Sequence, residues 1–499
     1  MNVKLKILSI VLLAMAFLSS CSLFSGGGGR SGNVSPTTGW NYNDPDFGGF
    51  EVISGYEQET GPGLVFIEGG TFTMGRTQQD ILYDWNNTPR RVTISSFYMD
   101  ETEVANVDYR EYLYWLGRVY VSYPEVYQKA LPDSLVWRDP LAYNEPYVEY
   151  YFRHPSYNDY PVVGVTWLQA NDFCAWRGER VNEMTLINEG ILNLDPNQQD
   201  ENNFNTEAYL AGQYEGLVNQ NLPSLDPNKE ERRVKMEDGI FFPKYRLPSE
   251  AEWEFAALAL RGNTYEERIY ERRMYPWDGH NVRNADTRNR GRFMANFTRG
   301  KGDLMGVAGN LNDNASITAN VRSFWPNDYG LYCMAGNVNE WVYDVYRSLS
   351  LQDFSAFNPM RGNVFQTRVT DPAGNLATKD SLGRIRYRDV TAEEAAGRYN
   401  YQKADYRDYK DGDFQSMIVP GSNWQDESSA DESVVMYSQL KEDFNSLISN
   451  EARVYKGGSW RDKAYWLSPG TRRFLDQESA RNDLGFRCAM TRVGSPGGF

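Results

Sequence analysis

Between residues 61 and 100, hydrophobic and polar positions follow each other in short alternating runs. Such alternation is typical of strands with one buried face, because successive side chains point to opposite sides of the sheet. The pattern predicts strands at 63–67, 71–75 and 91–94, with Gly69 and Gly70 in the turn between the first two.

Farther along the chain, apolar residues recur at the three- and four-residue spacing of helices with one buried face. The expected N-caps are Asn106, Thr166 and Ser249, whose side chains can accept a hydrogen bond from the first turn. Glu252 completes a capping box with Ser249. The residues expected to face the core are Tyr109, Tyr112, Leu113, Leu116, Trp167, Ala170, Cys174, Trp253, Ala256, Ala257 and Leu260. Short strands, short helices and many loops predict an α+β fold with low regular secondary structure.

The first twenty residues have the pattern of an export signal. Two lysines precede an apolar run at 7–17, which is too short to span a bilayer as a helix. The run ends on Leu-Ser-Ser before Cys21, which is similar to a bacterial lipobox. We therefore predict a signal peptide at 1–20 and lipidation of Cys21, with an ordinary secretory signal as the alternative.

Residues 21–60 are expected to form a lipidated N-terminus and a flexible linker, because glycine and serine dominate 25–32. Ser22 follows the cysteine and no acidic cluster comes after it, which favours an outer-membrane anchor facing the periplasm. The formal net charge is −16, and removal of two lysines with the signal makes it −18. Such a charge argues against nucleic acid or anionic lipid headgroups as partners.

A series of motifs then carries a family resemblance. In chain order they are GGTFTMG (69–75), PVVGVTW (161–167), RLPSEAEWE (246–254), YPW (275–277), GLYCMAGNVNEW (330–341), KGGSW (456–460) and LGFRC (484–488). Together they resemble the formylglycine-generating, sulfatase-modifying enzyme family over residues 61–492, which leaves 493–499 as a tail. The resemblance implies the formylglycine-generating-enzyme-like, C-type-lectin-related α+β fold of that family.

Two long stretches interrupt this motif series, at about 181–243 and 347–452. The first is rich in Asn, Gln, Asp and Glu, and the second in Asp, Tyr and Arg. Both could be solvated surface loops, which a fold tolerates at small cost in free energy. Loops this long are more often functional, so we favour insertions that bind a partner protein.

The resemblance also implies where catalytic residues would lie. In the enzymes two thiolates bind copper, three and eight residues after the serine of the Gly-Gly-Ser motif, where this chain has Asp462 and Leu467. Neither provides the soft sulfur ligand that Cu(I) prefers. Related iron enzymes need three histidines, whereas this chain has only His154 and His280. We therefore predict no catalytic residues, no copper or iron site and no enzyme activity.

The cysteines offer a structural role instead. Cys174 and Cys488 match positions that pair in some relatives, so the resemblance implies a disulfide between them in an oxidising periplasm. Two separate buried thiols are the alternative.

The resemblance further implies structural calcium. A first site would use the side chains of Asn296 and Asp313 and the carbonyls of Phe297 and Ala315.

A second calcium site would use Glu340 with the carbonyls of Gly336 and Val338. Its first side-chain ligand falls on Cys333, a poor ligand for a hard cation. This second site is therefore weaker than the first.

Two segments, LPDSLVWRD (131–139) and NDNASIT (312–318), resemble one group in particular. They are similar to the gliding-motility and type IX secretion lipoproteins of Bacteroidetes, of the GldK/PorK type. The resemblance implies a structural subunit of a periplasmic ring beneath the outer membrane, made of copies of itself and a GldN/PorN-type partner. The alternatives are a GldJ-type gliding lipoprotein or a periplasmic peptide- or glycan-binding protein. A sulfatase-modifying enzyme is the least favoured alternative.

Overall fold

The computed structural model describes residues 33–76, 86–264, 266, 269, 273–277, 280–299, 315–346, 360, 362, 366–389 and 451–494. Cys21, Asp313 and most of the second insertion lie outside the described residues. The described chain forms two units, of which the smaller comprises 33–56 with Asn221–Arg233 and the larger comprises the rest.

Short strands and helices follow each other along the described chain. The strands are β1 (Leu64–Ile67), β2 (Gly70–Met74), β3 (Arg90–Ile94), β4 (Phe97–Asp100), β5 (Leu222–Pro223), β6 (Glu231–Arg232), β7 (Tyr245–Arg246), β8 (Asn339–Val345), β9 (Gln366–Arg368), β10 (Tyr387–Asp389), β11 (Ala452–Lys456), β12 (Arg473–Asp476), β13 (Leu484–Gly485) and β14 (Ala489–Thr491). The α-helices are α1 (Asn106–Val119), α2 (Pro124–Ala130), α3 (Glu145–Tyr150), α4 (Trp167–Asn188), α5 (Thr206–Leu210) and α6 (Glu250–Leu258). Turns of 3-10 helix lie at Pro45–Phe47, Ser134–Trp137, Pro155–Tyr157, Asp200–Asn202, Met236–Asp238 and Ala464–Leu467. In these parts of the chain, no helix combines the length and apolar character that a membrane crossing requires.

Two four-stranded sheets organise the larger unit. One has the order β1-β4-β14-β7 and the other the order β12-β11-β8-β13. Neighbouring strands in them are antiparallel except β13, which runs parallel to β8. Because β14 lies between β4 and β7, the end of the chain is hydrogen-bonded to elements formed much earlier.

Most of the local predictions are confirmed. Strands β1, β2 and β3 match the predicted runs to within one residue at each end. The Thr166 side chain accepts from the Gln169 N–H at 3.2 Å, and the Ser249 side chain accepts from the Glu252 N–H at 3.2 Å. Thr166 and Ser249 are therefore the N-caps of α4 and α6, as predicted.

The predicted Asn106 cap is wrong, because Ala105 is the N-cap of α1 and Asn106 is its first residue. The Asn106 amide instead donates to the carbonyls of Tyr151 and Tyr157, at 3.2 and 2.9 Å. The side chain that was expected to cap the helix instead satisfies two carbonyls from a later segment of the chain. A tertiary contact has therefore overridden the local preference.

Arg487 joins the two sheets from the short link between β13 and β14. Its guanidinium is fully buried and forms two hydrogen bonds with the Glu340 carboxylate on β8, at 2.7 and 2.6 Å. It also donates to the carbonyls of Asp100, at the end of β4, and Tyr332, at 3.2 and 2.9 Å. Glu340 accepts one more hydrogen bond, from the indole N–H of Trp253 on α6 at 2.7 Å. Burial lowers the pKa of Arg487, but the charge and hydrogen bonds of Glu340, together with the Glu103 charge, hold the pKa above its ordinary value.

The first insertion is ordered and has a small core of its own. Helix α4 runs on past residue 181, and the rings of Phe204, Tyr209, Tyr214 and Phe241 contact each other with centroids 5.4–6.1 Å apart. Aromatic rings at these separations and mixed angles pack favourably. The inserted residues described here are therefore packed structure rather than solvated loop alone.

The described part of the second insertion packs on the first. The Gln213 side chain donates to the Ala377 carbonyl at 3.1 Å and accepts from the Lys379 N–H at 2.8 Å. Asn203 donates to the Leu382 carbonyl at 2.8 Å. The two insertions, far apart in sequence, are thus hydrogen-bonded to each other.

The smaller unit contains residues 33–56, which belong to the predicted linker. Within it β5 and β6 pair, Arg232 forms an ion pair with Glu51, and the Leu225 N–H donates to Glu51 at 3.2 Å. Gly49 abuts the Leu225 backbone, since an added Cβ would lie 1.8 Å from that carbonyl oxygen. Residues 33–56 of the predicted linker at 21–60 therefore have defined structure.

Replacement of Arg487 tests the link between the sheets. We expect Arg487→Met to lower the free energy of unfolding by about 3–5 kcal/mol, because Glu340 would remain buried without its counter-charge. Chemical denaturation of the purified protein at pH 7 measures the change. Arg138→Met is the matched control, since the Arg138–Glu145 pair is 57% and 49% exposed and should leave stability almost unchanged. Equal stabilities of the two variants would contradict the assignment.

Candidate functional site

The Gly-Gly-Ser turn after β11 shapes the candidate site. Gly457 and Gly458 have φ values of 99° and 73°, a region that side-chain-bearing residues rarely adopt. A Cβ on Gly458 would also lie 2.8 Å from the Trp466 carbonyl oxygen. The turn therefore requires glycine and delivers Ser459 into the interior, where it is fully buried.

Asp462, which the sequence comparison predicted at the position of the first catalytic thiolate, is held as an ion. The backbone and hydroxyl of Ser459 both donate to it at 2.9 Å, and Arg473 on β12 binds it with two N–H groups at 2.8 and 2.7 Å. Burial raises the pKa of Asp462, but the Arg473 guanidinium, helped by Ser459 and Asn339, brings it below its usual value.

A second carboxylate and a second guanidinium complete the cluster. Asp483 accepts from Arg481 at 2.8 and 2.7 Å and from the Ser459 hydroxyl at 3.1 Å. Asn339 on β8 lies between the carboxylates and donates to Asp462 at 3.2 Å and Asp483 at 3.3 Å. Both carboxylates are thus bound by arginine, an arrangement suited to structure rather than to accepting a proton from a substrate.

Leu467, predicted at the position of the second thiolate, is fully buried. It packs with an apolar cluster formed by Tyr275, Phe293, Ala295, Phe297 and Ala335. An aliphatic side chain in such surroundings provides no metal ligand. His154 and His280 are both exposed, and the described residues contain no group of three or more His, Cys, Asp or Glu side chains placed to hold a metal ion.

Cys174 on α4 and Cys488 before β14 are brought together. Their sulfurs lie 3.1 Å apart as two buried thiols, and burial raises the pKa of Cys174 well above its ordinary value. The structure thus brings together the two residues of the predicted pair, while the disulfide bond itself stays a prediction.

Glu340 of the weaker calcium prediction has other partners. Its carboxylate binds Arg487 and Trp253, and the Val338 N–H donates to Glu103 at 3.2 Å. Glu103 is buried, and its pKa is well above the usual value because of burial and the neighbouring Glu340 charge. In this structure Glu340 is the counter-ion of Arg487, and the second calcium site stays a prediction.

The first calcium prediction falls partly on described residues. The Asn296 amide donates to the Ile317 carbonyl at 2.8 Å, and the Asn296 carbonyl accepts from the Asn337 N–H at 2.9 Å. The amide oxygen is therefore the atom of this side chain that could bind a hard cation. Asp313 lies outside the described residues, so this site stays a prediction.

A family model for the sulfatase-modifying factor enzyme 1-like domain matches residues 49–492. The chain belongs to this family. The formylglycine-generating enzyme of Mus musculus is 25% identical, over 65% of this chain and 68% of that enzyme. The inactive C-alpha-formylglycine-generating enzyme 2 of Bos taurus is 25% identical, over 66% of this chain and 91% of that protein. Among solved structures, PvdO from Pseudomonas aeruginosa has a TM-score of 0.39 at 15% identity, over 86% of this chain and 94% of that one.

Membership confirms the expected formylglycine-enzyme-like α+β fold and the family part of the resemblance. Because the similar proteins include formylglycine-generating enzymes and inactive forms, membership does not by itself assign catalysis to this sulfatase-modifying factor domain. The sequence singled out Asp462 and Leu467 but missed Arg473, Arg481 and Asn339. Arg473 lies on β12, Asn339 lies on β8 and Arg481 lies just before β13, so the three come together only when these strands join one sheet.

The Asp462–Arg473 pair makes a pH-dependent prediction. We expect Asp462→Asn to lower the free energy of unfolding by about 2 kcal/mol at pH 7, since it leaves a largely buried guanidinium without its counter-charge. Because the folded-state pKa is lowered, the stabilisation is complete above the unfolded-state pKa of about 3.9 and is lost as pH falls through the folded value. Denaturant titrations should show that the difference in unfolding free energy between the variant and the wild type is smaller in acid than at pH 7.

Asp139→Asn is the matched control, because Asp139 is exposed. It should change stability little at either pH. A deficit of Asp462→Asn that does not depend on pH would mean that the carboxylate charge is not the source of the stabilisation.

Proposed function

We propose that this chain is a non-catalytic structural lipoprotein of the type IX secretion and gliding machinery. Cys21 carries its lipid anchor in the outer membrane, and the folded domain faces the periplasm. Copies of the chain assemble with a GldN/PorN-type protein into a ring. The segments 131–139 and 312–318, which resemble the GldK/PorK type, motivate this proposal.

The observation that carries the non-catalytic part is the Asp462–Arg473 pair. Asp462 accepts two hydrogen bonds from the Arg473 guanidinium, at 2.8 and 2.7 Å. A carboxylate is not a soft metal ligand, and one that is paired with arginine is not free to act as a base. The second position, Leu467, is part of an apolar core. An inactive relative such as the bovine protein supports the idea that this fold can persist without its chemistry.

The structural part of the proposal is supported by the two insertions. They are hydrogen-bonded to each other through Gln213 and Asn203, so they present one joint surface. Exposed apolar side chains occur on the first insertion, with Met184 53%, Leu194 68% and Leu217 53% exposed. Exposed apolar residues on an ordered insertion are the kind of surface that a permanent partner covers.

Extraction from the native envelope tests the ring. We expect a tagged chain, extracted in mild detergent, to elute as a megadalton assembly that contains a second envelope protein and appears as rings by electron microscopy. A Cys21→Ser variant should lose membrane association, because one residue carries the whole anchor. It provides the control for the lipid part of the proposal.

A monomer under conditions that preserve other envelope complexes would contradict the ring. The periplasmic peptide- or glycan-binding alternative would then predict saturable binding of a small ligand by that monomer. Rings that contain no second protein would contradict the GldN/PorN-type partner but would support self-assembly of the chain.

We also propose that calcium has a structural role at Asn296 and Asp313. Oxygen ligands from these side chains and from the carbonyls of Phe297 and Ala315 suit a hard cation. Calcium at about a hundred times its dissociation constant should stabilise the fold by about 2.7 kcal/mol, which raises the melting temperature relative to EDTA. Asp313→Ala should abolish this difference, whereas Asp139→Ala should retain it. No calcium-dependent change in the wild type would refute the site.

A further inference from the structure

A groove on the far side of α1 from α4 has no role in the proposals above. Its volume is about 890 Å³, and it is lined by α1, α2, α3 and the 3-10 turn Ser134–Trp137. The first insertion and the Asp462 cluster contribute no residue to it. The groove is therefore a separate feature of the larger unit.

Aromatic rings form the base of the groove. Trp137 and Tyr151 are each 2% exposed, and their ring centroids lie 4.7 Å apart. Tyr147 packs against Trp137 at 5.4 Å. Tyr151 is fixed by its hydroxyl, which donates to the Pro161 carbonyl at 2.6 Å. The base is thus rigid before any ligand arrives, which reduces the entropy lost on binding.

The rim combines exposed apolar groups with unpaired positive charge. Tyr114 is 72% exposed and Leu131 is 40% exposed, although both line the groove. Arg118 and Arg153 are exposed at the rim and make no ion pair with any residue that the structure describes. A ligand bound here could bury the exposed apolar side chains and also place negative charges beside the two guanidinium groups.

The charge of the groove is opposite to that of the chain. Among the residues that the structure describes, its lining holds three arginines, with Arg110 the third, and one acid, Asp133, which gives a net charge of +2. Asp133 is occupied, because it accepts from the Leu135 N–H at 2.9 Å. The whole chain carries −16. A basic groove on so acidic a protein favours an anionic occupant.

We propose that this groove binds an acidic peptide segment of a partner protein, with aromatic or aliphatic side chains between its carboxylates. The apolar side chains would cover Tyr114 and Leu131, and the carboxylates would pair with Arg118 and Arg153. A neutral glycan fits less well, since it would leave the charges of Arg118 and Arg153 without a counter-charge. Nucleic acid would be repelled by the negative charge of the rest of the chain.

Fluorescence anisotropy with the detergent-solubilised full chain tests this. The probe is a labelled octapeptide in which Asp and Glu alternate with Tyr and Phe, and the control probe has Lys in place of every acid. We expect saturable binding of the acidic probe only, weakened by rising salt because the pairs are exposed. The double variant Arg118→Gln/Arg153→Gln should weaken binding at least tenfold, and Tyr114→Ser should weaken it severalfold.

The matched control is Arg138→Gln, which removes a nearby exposed arginine that already pairs with Glu145 and lies outside the groove. It should bind the probe like the wild type. All three variants alter exposed side chains, so their melting temperatures should match the wild type and exclude misfolding. Equal affinity of the double variant, or displacement of the probe by a neutral chitin oligosaccharide at similar concentration, would overturn the proposal. Ring assembly is measured separately, so the two proposals can fail independently.

Discussion

The buried ion pair between Arg487 and Glu340 is the constraint on which the rest of the fold depends. Both side chains are fully buried, so each loses its hydration and must recover that free energy from the other. They recover it only if β13 and β8 lie side by side and the end of β4 offers its carbonyl. Alternative registers of these short strands would bury an unpaired charge. The pair therefore selects one arrangement of the two sheets.

Strand β8 carries this constraint into the candidate site. Asn339, directly before Glu340, donates to both Asp462 and Asp483, while Trp341, directly after it, donates to the Val165 carbonyl at 3.0 Å. Consecutive residues of one strand thus hold the polar cluster, the inter-sheet ion pair and the segment before α4. Strand β8 therefore couples the polar cluster to the contact between the two sheets.

The sequence predicted those features whose cause is local. Thr166 and Ser249 cap their helices because the bond they accept comes from three residues ahead, and the alternation in 63–94 specifies strands by itself. Asn106 did not follow its local preference, because two carbonyls some fifty residues away compete for its amide. The partners of Asp462 were beyond prediction for the same reason. Many arginines could have paired with it, and only the sheet order places Arg473 there.

The same distinction separates the interior from the surfaces that concern partners. Asp462 and Asp483 are each paired with an arginine inside the chain, so both carboxylate charges are compensated where they lie. Arg118 and Arg153, by contrast, lie at the surface with no counter-charge among the described residues. Charges paired in the interior beside charges left unpaired at the surface are compatible with the association role proposed above. Under the proposed function, specificity for a partner would therefore lie in the insertions and the groove rather than around Asp462 and Leu467.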